Sequence, residues 1–287
     1  MEQQVSLSGS TINERSQSLL ETGLGSNCIF IVGESKVYFS AIKGFLIRVS
    51  PVFERMFYGE LRETEPTEVP DIEPDVFNTM LRFIYGCDWS FKSNAKAVEL
   101  CYAAHKYMIH DLLQRCVEHL WPTTISDVWT ALEVGNLYSL PELRDAAMKI
   151  INENSSAVLE SSDILHISQD CLTDILRGNA LEIPNEMDVF KMCYKWALTQ
   201  CEQKGLAVDG PTLRNELGEA LNHIRFLVMG SKEFVDDVIT TGILTTEESL
   251  DILCFLVMEG RYCLSSKLCT SREKRIPDDG FERLPYL

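Results

Sequence analysis

Two pairs of residues have the types and spacing for chemistry: Cys101 with His105, and Cys116 with His119, each a thiol and an imidazole about one helical turn apart. Four such ligands would suit a tetrahedral zinc site. Structural zinc sites, however, are usually built on knuckles and loops with close cysteine pairs, and no Cys-x-x-Cys occurs in this chain. The same thiols fit the apolar faces of the segments that carry them, so no metal is expected. Gly23, Leu24 and Gly25 look like the start of a dinucleotide loop, but they precede a strand where that fingerprint must follow one. There is no Gly-x-Ser-x-Gly elbow and no phosphate-binding lysine loop. Asn154, Ser155 and Ser156 read as a helix-flanking turn. No local motif assembles a nucleophile, a base and an oxyanion donor, so neither enzyme activity nor a cofactor is expected.

Recognition is better supported. In Ser50–Leu61, proline at the first helical position presets φ, Val52, Phe53, Met56 and Phe57 recur at three- to four-residue spacing, and Gly59 can end the helix. The elements that must position it lie on either side. Ile29 to Val32 and Val37 to Phe39 are β-branched and aromatic runs separated by Gly33, Glu34, Ser35 and Lys36, which predicts a two-stranded ribbon. Pro74 to Gly86 carries Phe77, Met80, Leu81 and Ile84 on one helical face, and helices follow near 94–107 and 110–120. Together these make an α+β unit of about 100 residues. Trp121 to Thr124 form a junction, with proline to stop one helix and threonines to cap the next. Beyond it only helical patterns occur, including one that opens at Asn185 and carries Val189, Phe190, Cys193 and Trp196.

The order of elements and the residues themselves resemble the BTB (POZ) domain, whose strand and helix signatures lie on Ile29 to Gly33, Ala41 to Lys43, Ser50 to Phe53 and Phe83 to Tyr85. Residues 125–259 resemble a BACK domain, through Leu137, Tyr138, Pro141, Glu142, Leu143, Val189, Phe190 and Trp196. Met56 to Glu60 followed by Pro70 to Pro74 is most similar to the BTB-BACK-PHR subfamily of cullin-3 adaptors. The resemblance implies that Leu61, Arg62 and Glu63 dock a cullin-3 scaffold, with Leu61 as apolar anchor and Glu63 as hydrogen-bond acceptor. It also implies a leading helix, with Ile12, Leu19 and Leu20, packed across a dimer interface; the alternative is a frayed tail. Asn27 and Ile42 depart from the charged pair of transcription-factor BTB domains, which argues against corepressor binding of that type. The segment after Gly260 lacks the alternating apolar runs of a PHR β-sandwich, which leaves a fragment, an isoform or a natural loss open.

A chain of 287 residues with 45% hydrophobic content can bury a core in each of two domains. The formal net charge of −17 opposes nucleic-acid binding, and no apolar run approaches a membrane span or a signal peptide, so cytosol or nucleus is the default. Glu60, Glu63, Glu65, Glu68, Asp71, Glu73 and Asp75 either steer a basic partner or form a solvated loop. The ten cysteines read as buried thiols in a reducing compartment. The expected organisation is an N-terminal tail with a dimerisation helix (1–22), a BTB domain (23–121), a BACK domain (122–260) and a flexible tail (261–287). The expected role is a dimeric, non-catalytic adaptor that brings a protein target, itself not identified, to a cullin-3 ubiquitin ligase. The alternative is a dimerisation scaffold, or a decoy that pairs with related BTB proteins.

Overall fold

Cys28–Val32 (β1) and Val37–Ala41 (β2) pair antiparallel in the computed structural model of the chain, with Val32 opposite Val37 and residues 33–36 as the turn. Gly33 (φ 69°) and Lys36 (φ 51°) take left-handed backbone there, and a Cβ on Gly33 would lie 2.9 Å from the Pro74 ring, so glycine is required twice over. The structure describes residues 11–60, 66–177, 181, 183, 185–258, 268, 271, 272 and 275. The chain divides into two packing units, Met1–Trp121 and Pro122–Leu287.

In the first unit a third strand, Thr67–Val69 (β3), pairs parallel with the other edge of β1, giving the order β2-β1-β3. The acidic stretch is therefore not simply a solvated loop: Thr67 and Val69 are buried, and Glu68 between them points to solvent. Helices Ile12–Thr22 (α1), Lys43–Val49 (α2), Pro51–Tyr58 (α3), Pro74–Tyr85 (α4), Asn94–Lys106 (α5) and His110–His119 (α6) complete the unit. The α4 residues Val76, Phe77, Met80, Leu81 and Ile84 are all buried, as the three- and four-residue spacing predicts. At the centre is Phe30 of β1. Its ring meets Phe53 at 5.8 Å and Phe57 at 6.2 Å edge-on, and Phe77 at 5.2 Å tilted, which joins the sheet to α3 and α4.

The second unit has no strand among its described residues. Its helices are Ile125–Leu137 (α7), Pro141–Glu153 (α8), Ser155–Glu160 (α9), Gln169–Arg177 (α10), Glu186–Lys204 (α11), Gly210–Leu217 (α12), Ser231–Glu233 (α13) and Thr246–Val257 (α14), linked in places by single tight turns. Helices α7 and α8 approach closely at Gly135, where a Cβ would sit 2.9 Å from the backbone nitrogen of Arg144. Trp196 of α11 is buried and donates its indole N–H to the Ile167 carbonyl at 3.0 Å, while Phe190, Phe226 and Phe234 form an edge-on chain at 6.1 and 6.2 Å. The reading of 261–287 as a flexible tail does not hold at Leu268 and Arg275, both of which are buried. Their side chains belong to the packing of this unit.

Two substitutions test these cores separately. Phe30→Ala should cost about 3–5 kcal/mol of stability by emptying the contact between sheet and helices. Gly135→Ala should cost about 1–3 kcal/mol by forcing α7 from α8. Urea denaturation followed by circular dichroism reads both.

Candidate functional site

Helix α3 is held at its start by three contacts. The Ser50 hydroxyl accepts from the Phe53 backbone N–H at 3.1 Å, capping the helix, and donates to the Tyr107 carbonyl at 2.5 Å. The Phe53 ring stacks on Tyr107 with centroids 4.3 Å apart. Phe53 and Phe57 face inward, so Glu54, Arg55 and Tyr58 face out, Tyr58 at 65% exposure. The helix ends at Gly59, where a Cβ would lie 2.3 Å from the Arg55 carbonyl oxygen. That approach makes glycine obligatory two positions before Leu61, the first of the expected docking residues.

Leu61, Arg62 and Glu63 lie outside the described residues. What flanks them is well defined. After β3, Asp71 accepts from the Tyr102 hydroxyl and from Lys106 Nζ at 2.6 and 2.7 Å. Partial burial alone would raise the Asp71 carboxyl, but the hydrogen bonds from Lys106 and Tyr102 outweigh it and hold the group below the usual carboxylate range. The bond to Asp71, with burial adding to it, raises the Tyr102 hydroxyl. The C-terminal half of α5 and Tyr107 after it thus hold both the helix that precedes 61–65 and the segment that follows.

The expected dimerisation residues lie on α1, a capped helix: the Thr11 hydroxyl accepts from the Glu14 N–H at 3.3 Å, and Glu14 accepts from the Thr11 N–H at 2.6 Å. Ile12 is 83% exposed, whereas Leu19 and Leu20 are half-buried. On the outer face of the ribbon, Ile29 and Tyr38 are also exposed. Asn27 has a local duty of its own: its side-chain oxygen accepts from the Lys43 N–H at 2.8 Å, at the start of α2, and the Ile42 N–H donates to the Tyr85 hydroxyl at 2.8 Å.

Cys101 and Cys116 do meet, as a buried hydrogen-bonded thiol pair; that bond and then burial push the Cys116 thiol up. His119 goes elsewhere, stacking on Phe91 at 4.1 Å beside Asn94 Oδ1 at 3.2 Å. Among the described residues no group of three or more His, Cys, Asp or Glu is placed to hold a metal ion. The eight described cysteines are free thiols, and burial pushes Cys171 up to about 12. No helix among the described residues is long and apolar enough to cross a membrane.

The second unit contains a polar site that sequence reasoning missed. Asn185 caps α11 by accepting from the Met187 N–H at 3.0 Å, and Glu186 turns into the interior. Glu186 Oε1 accepts from the Arg225 N–H at 3.0 Å and from Arg275 Nη2 at 3.1 Å, and Oε2 accepts from Arg275 Nε at 3.1 Å. Arg275 also donates to the carbonyls of Leu176 at 2.7 Å and His223 at 2.9 Å. The side chains are 0% and 3% exposed for Arg275 and Glu186. An acidic residue in a first turn is an ordinary helix-start signal, so nothing local marked Glu186 as buried. A second fork joins α12 to α14: Arg214 donates to Glu248 at 2.7 and 2.8 Å, and Glu248 accepts from the Thr245 N–H at 2.9 Å.

A small three-stranded sheet packed against helices, followed by an all-helical unit, defines a two-part chain. Residues 16–124 match the BTB/POZ domain family, and residues 128–239 match the family described as BTB And C-terminal Kelch. The chain is 32% identical over 247 residues to human BTB/POZ domain-containing protein 3, an alignment covering 84% of this chain and 47% of that protein. BTB/POZ domain-containing protein 6-B of Danio rerio is 31% identical over 251 residues, covering 84% and 51%. The chain therefore belongs to the BTB–BACK domain proteins. It spans about half the length of the curated relatives it matches. BTB–BACK proteins are generally non-catalytic adaptors built for protein–protein contact.

Burial raises the Glu248 carboxyl, but the bonds from Arg214 and Thr245 outweigh it and the net shift is below the ordinary value of 4.5. A depressed carboxyl contributes stability that is present above its unfolded value and lost as pH falls through the folded one. Glu248→Gln should therefore cost about 1–2 kcal/mol at pH 7 and should flatten the loss of stability below pH 4.5. Thermal melts from pH 7 to 3 measure both effects.

Proposed function

We propose that this chain is a cullin-3 adaptor: its BTB domain dimerises and docks the scaffold through Leu61, Arg62 and Glu63, while the BACK domain positions a protein target for ubiquitination. The observation that carries the reading is the anchoring of α3. Ser50 and Phe53 fix it to Tyr107, and Gly59 ends it immediately before Glu60 and Leu61. A surface carried on a fixed helix loses little further freedom on binding, which favours affinity. The exposed Tyr58 and the Asp71–Tyr102–Lys106 cluster extend the surface with aromatic and polar groups suited to an interface. Dimerisation is assigned to α1, with Ile12 reaching across and Leu19 and Leu20 beneath it.

The mechanism is proximity. A target tethered beside a ubiquitin-charged enzyme reaches an effective concentration on the order of millimolar for a suitable link, and the adaptor supplies no reacting group. The cytoplasm is the proposed compartment. A second reading, a dimerisation scaffold or decoy without cullin binding, is favoured by one observation: the apolar exposure at Ile12, Ile29 and Tyr38 supports pairing and has no need of a cullin.

Calorimetry of the purified chain against the cullin-3 N-terminal domain separates the two. Leu61→Ala with Glu63→Ala should weaken binding at least about thirtyfold, the effect of losing one hot-spot residue. Unchanged affinity places the dock elsewhere, and a folded, dimeric wild type that does not bind leaves the scaffold reading.

A further inference from the structure

The Glu186 socket is built to recognise a guanidinium. Both carboxylate oxygens and two backbone carbonyls converge on the Arg275 fork, with bonds of 2.7 to 3.1 Å. A lysine ammonium cannot reproduce this planar pattern. The arginine comes from 89 positions further along the chain, so the socket and its occupant meet only through tertiary structure. Two further residues of the same segment are anchored on the second unit. The Arg272 guanidinium lies 4.9 Å from the centre of the Phe255 ring in α14, and Leu268 is buried. The anchored residues are thus spaced Leu-x-x-x-Arg-x-x-Arg.

The site is larger than its occupant. Beside the fork lies a cavity of about 300 Å³, with Asn185 and Glu233 among its polar lining and Ile183 and Val228 among its apolar lining. Glu233 adds a second carboxylate, and the chain as a whole carries a formal charge of −17, which attracts cationic segments.

We propose that this socket is a recognition site for arginine-bearing linear segments of partner proteins, and that Arg275 occupies it in cis as an intramolecular competitor. The ligand class is a peptide with an apolar residue followed by two arginines three positions apart. The proposal does not rest on cullin docking, because its test contains no cullin.

The test uses the full chain and a fluorescent peptide of residues 266–277 carrying Cys269→Ser, titrated by anisotropy. The chain with Arg275→Ala should bind the peptide saturably, and its thermal midpoint should rise as peptide is added. Wild type, with the socket filled, should bind at least tenfold more weakly. A peptide with Arg275→Lys should lose at least tenfold, and the chain with both Glu186→Gln and Arg275→Ala should not bind. No binding by a cooperatively folded Arg275→Ala chain, or equal binding of the lysine peptide, would overturn the proposal. If neither Arg275→Ala nor the milder Arg275→Gln chain folds, Arg275 is an obligatory strut of the domain, and the proposal fails on that result as well.

Discussion

The Phe30 ring is the contact on which the BTB unit depends. It sits on the central strand and touches Phe53, Phe57 and Phe77, so one side chain fixes the sheet against both α3 and α4. Aromatic pairs of this geometry contribute about 0.5–1.5 kcal/mol each beyond their burial. Tyr107 closes the cluster from the far side by stacking on Phe53 while its carbonyl accepts from Ser50. The outward face of α3 is therefore set by the inward one: with Phe53 and Phe57 locked, Glu54, Arg55 and Tyr58 have only one direction to point.

The BACK unit is specified differently, by polar groups as much as by apolar ones. Arg275 with Glu186, Arg214 with Glu248, and the Trp196 indole with the Ile167 carbonyl each require a partner from a separate segment. A buried charge without its partner is strongly unfavourable, whereas a fully bonded pair contributes little net stability but selects one arrangement over others.

Local chemistry made much of this legible in the sequence. The β-branched runs around Gly33–Lys36 gave the ribbon, and Pro51 and Pro74 marked two helix starts at the positions observed. Helix α2 was not foreseen because Gly44 sits in its first turn and Phe45 to Ile47 form a continuous apolar run without a helical period. β3 escaped because three residues are too few to show alternation, and their acidic neighbours suggested a loop. The Glu186 socket was invisible for a deeper reason: its partners, Arg225, Leu176, His223 and Arg275, converge only once the helices have packed. Asn27, read only as a departure from a family pattern, bonds the start of α2.

The partner-binding surface proposed for the BTB unit is α3 with the residues after it. Hydrogen–deuterium exchange of the full chain with and without the cullin-3 N-terminal domain tests it directly. Slower exchange across 54–63 and around Tyr102–Lys106, with the Glu186 region unaltered, is the predicted result. Protection confined to the BACK unit, or none anywhere at saturating cullin, would contradict the account.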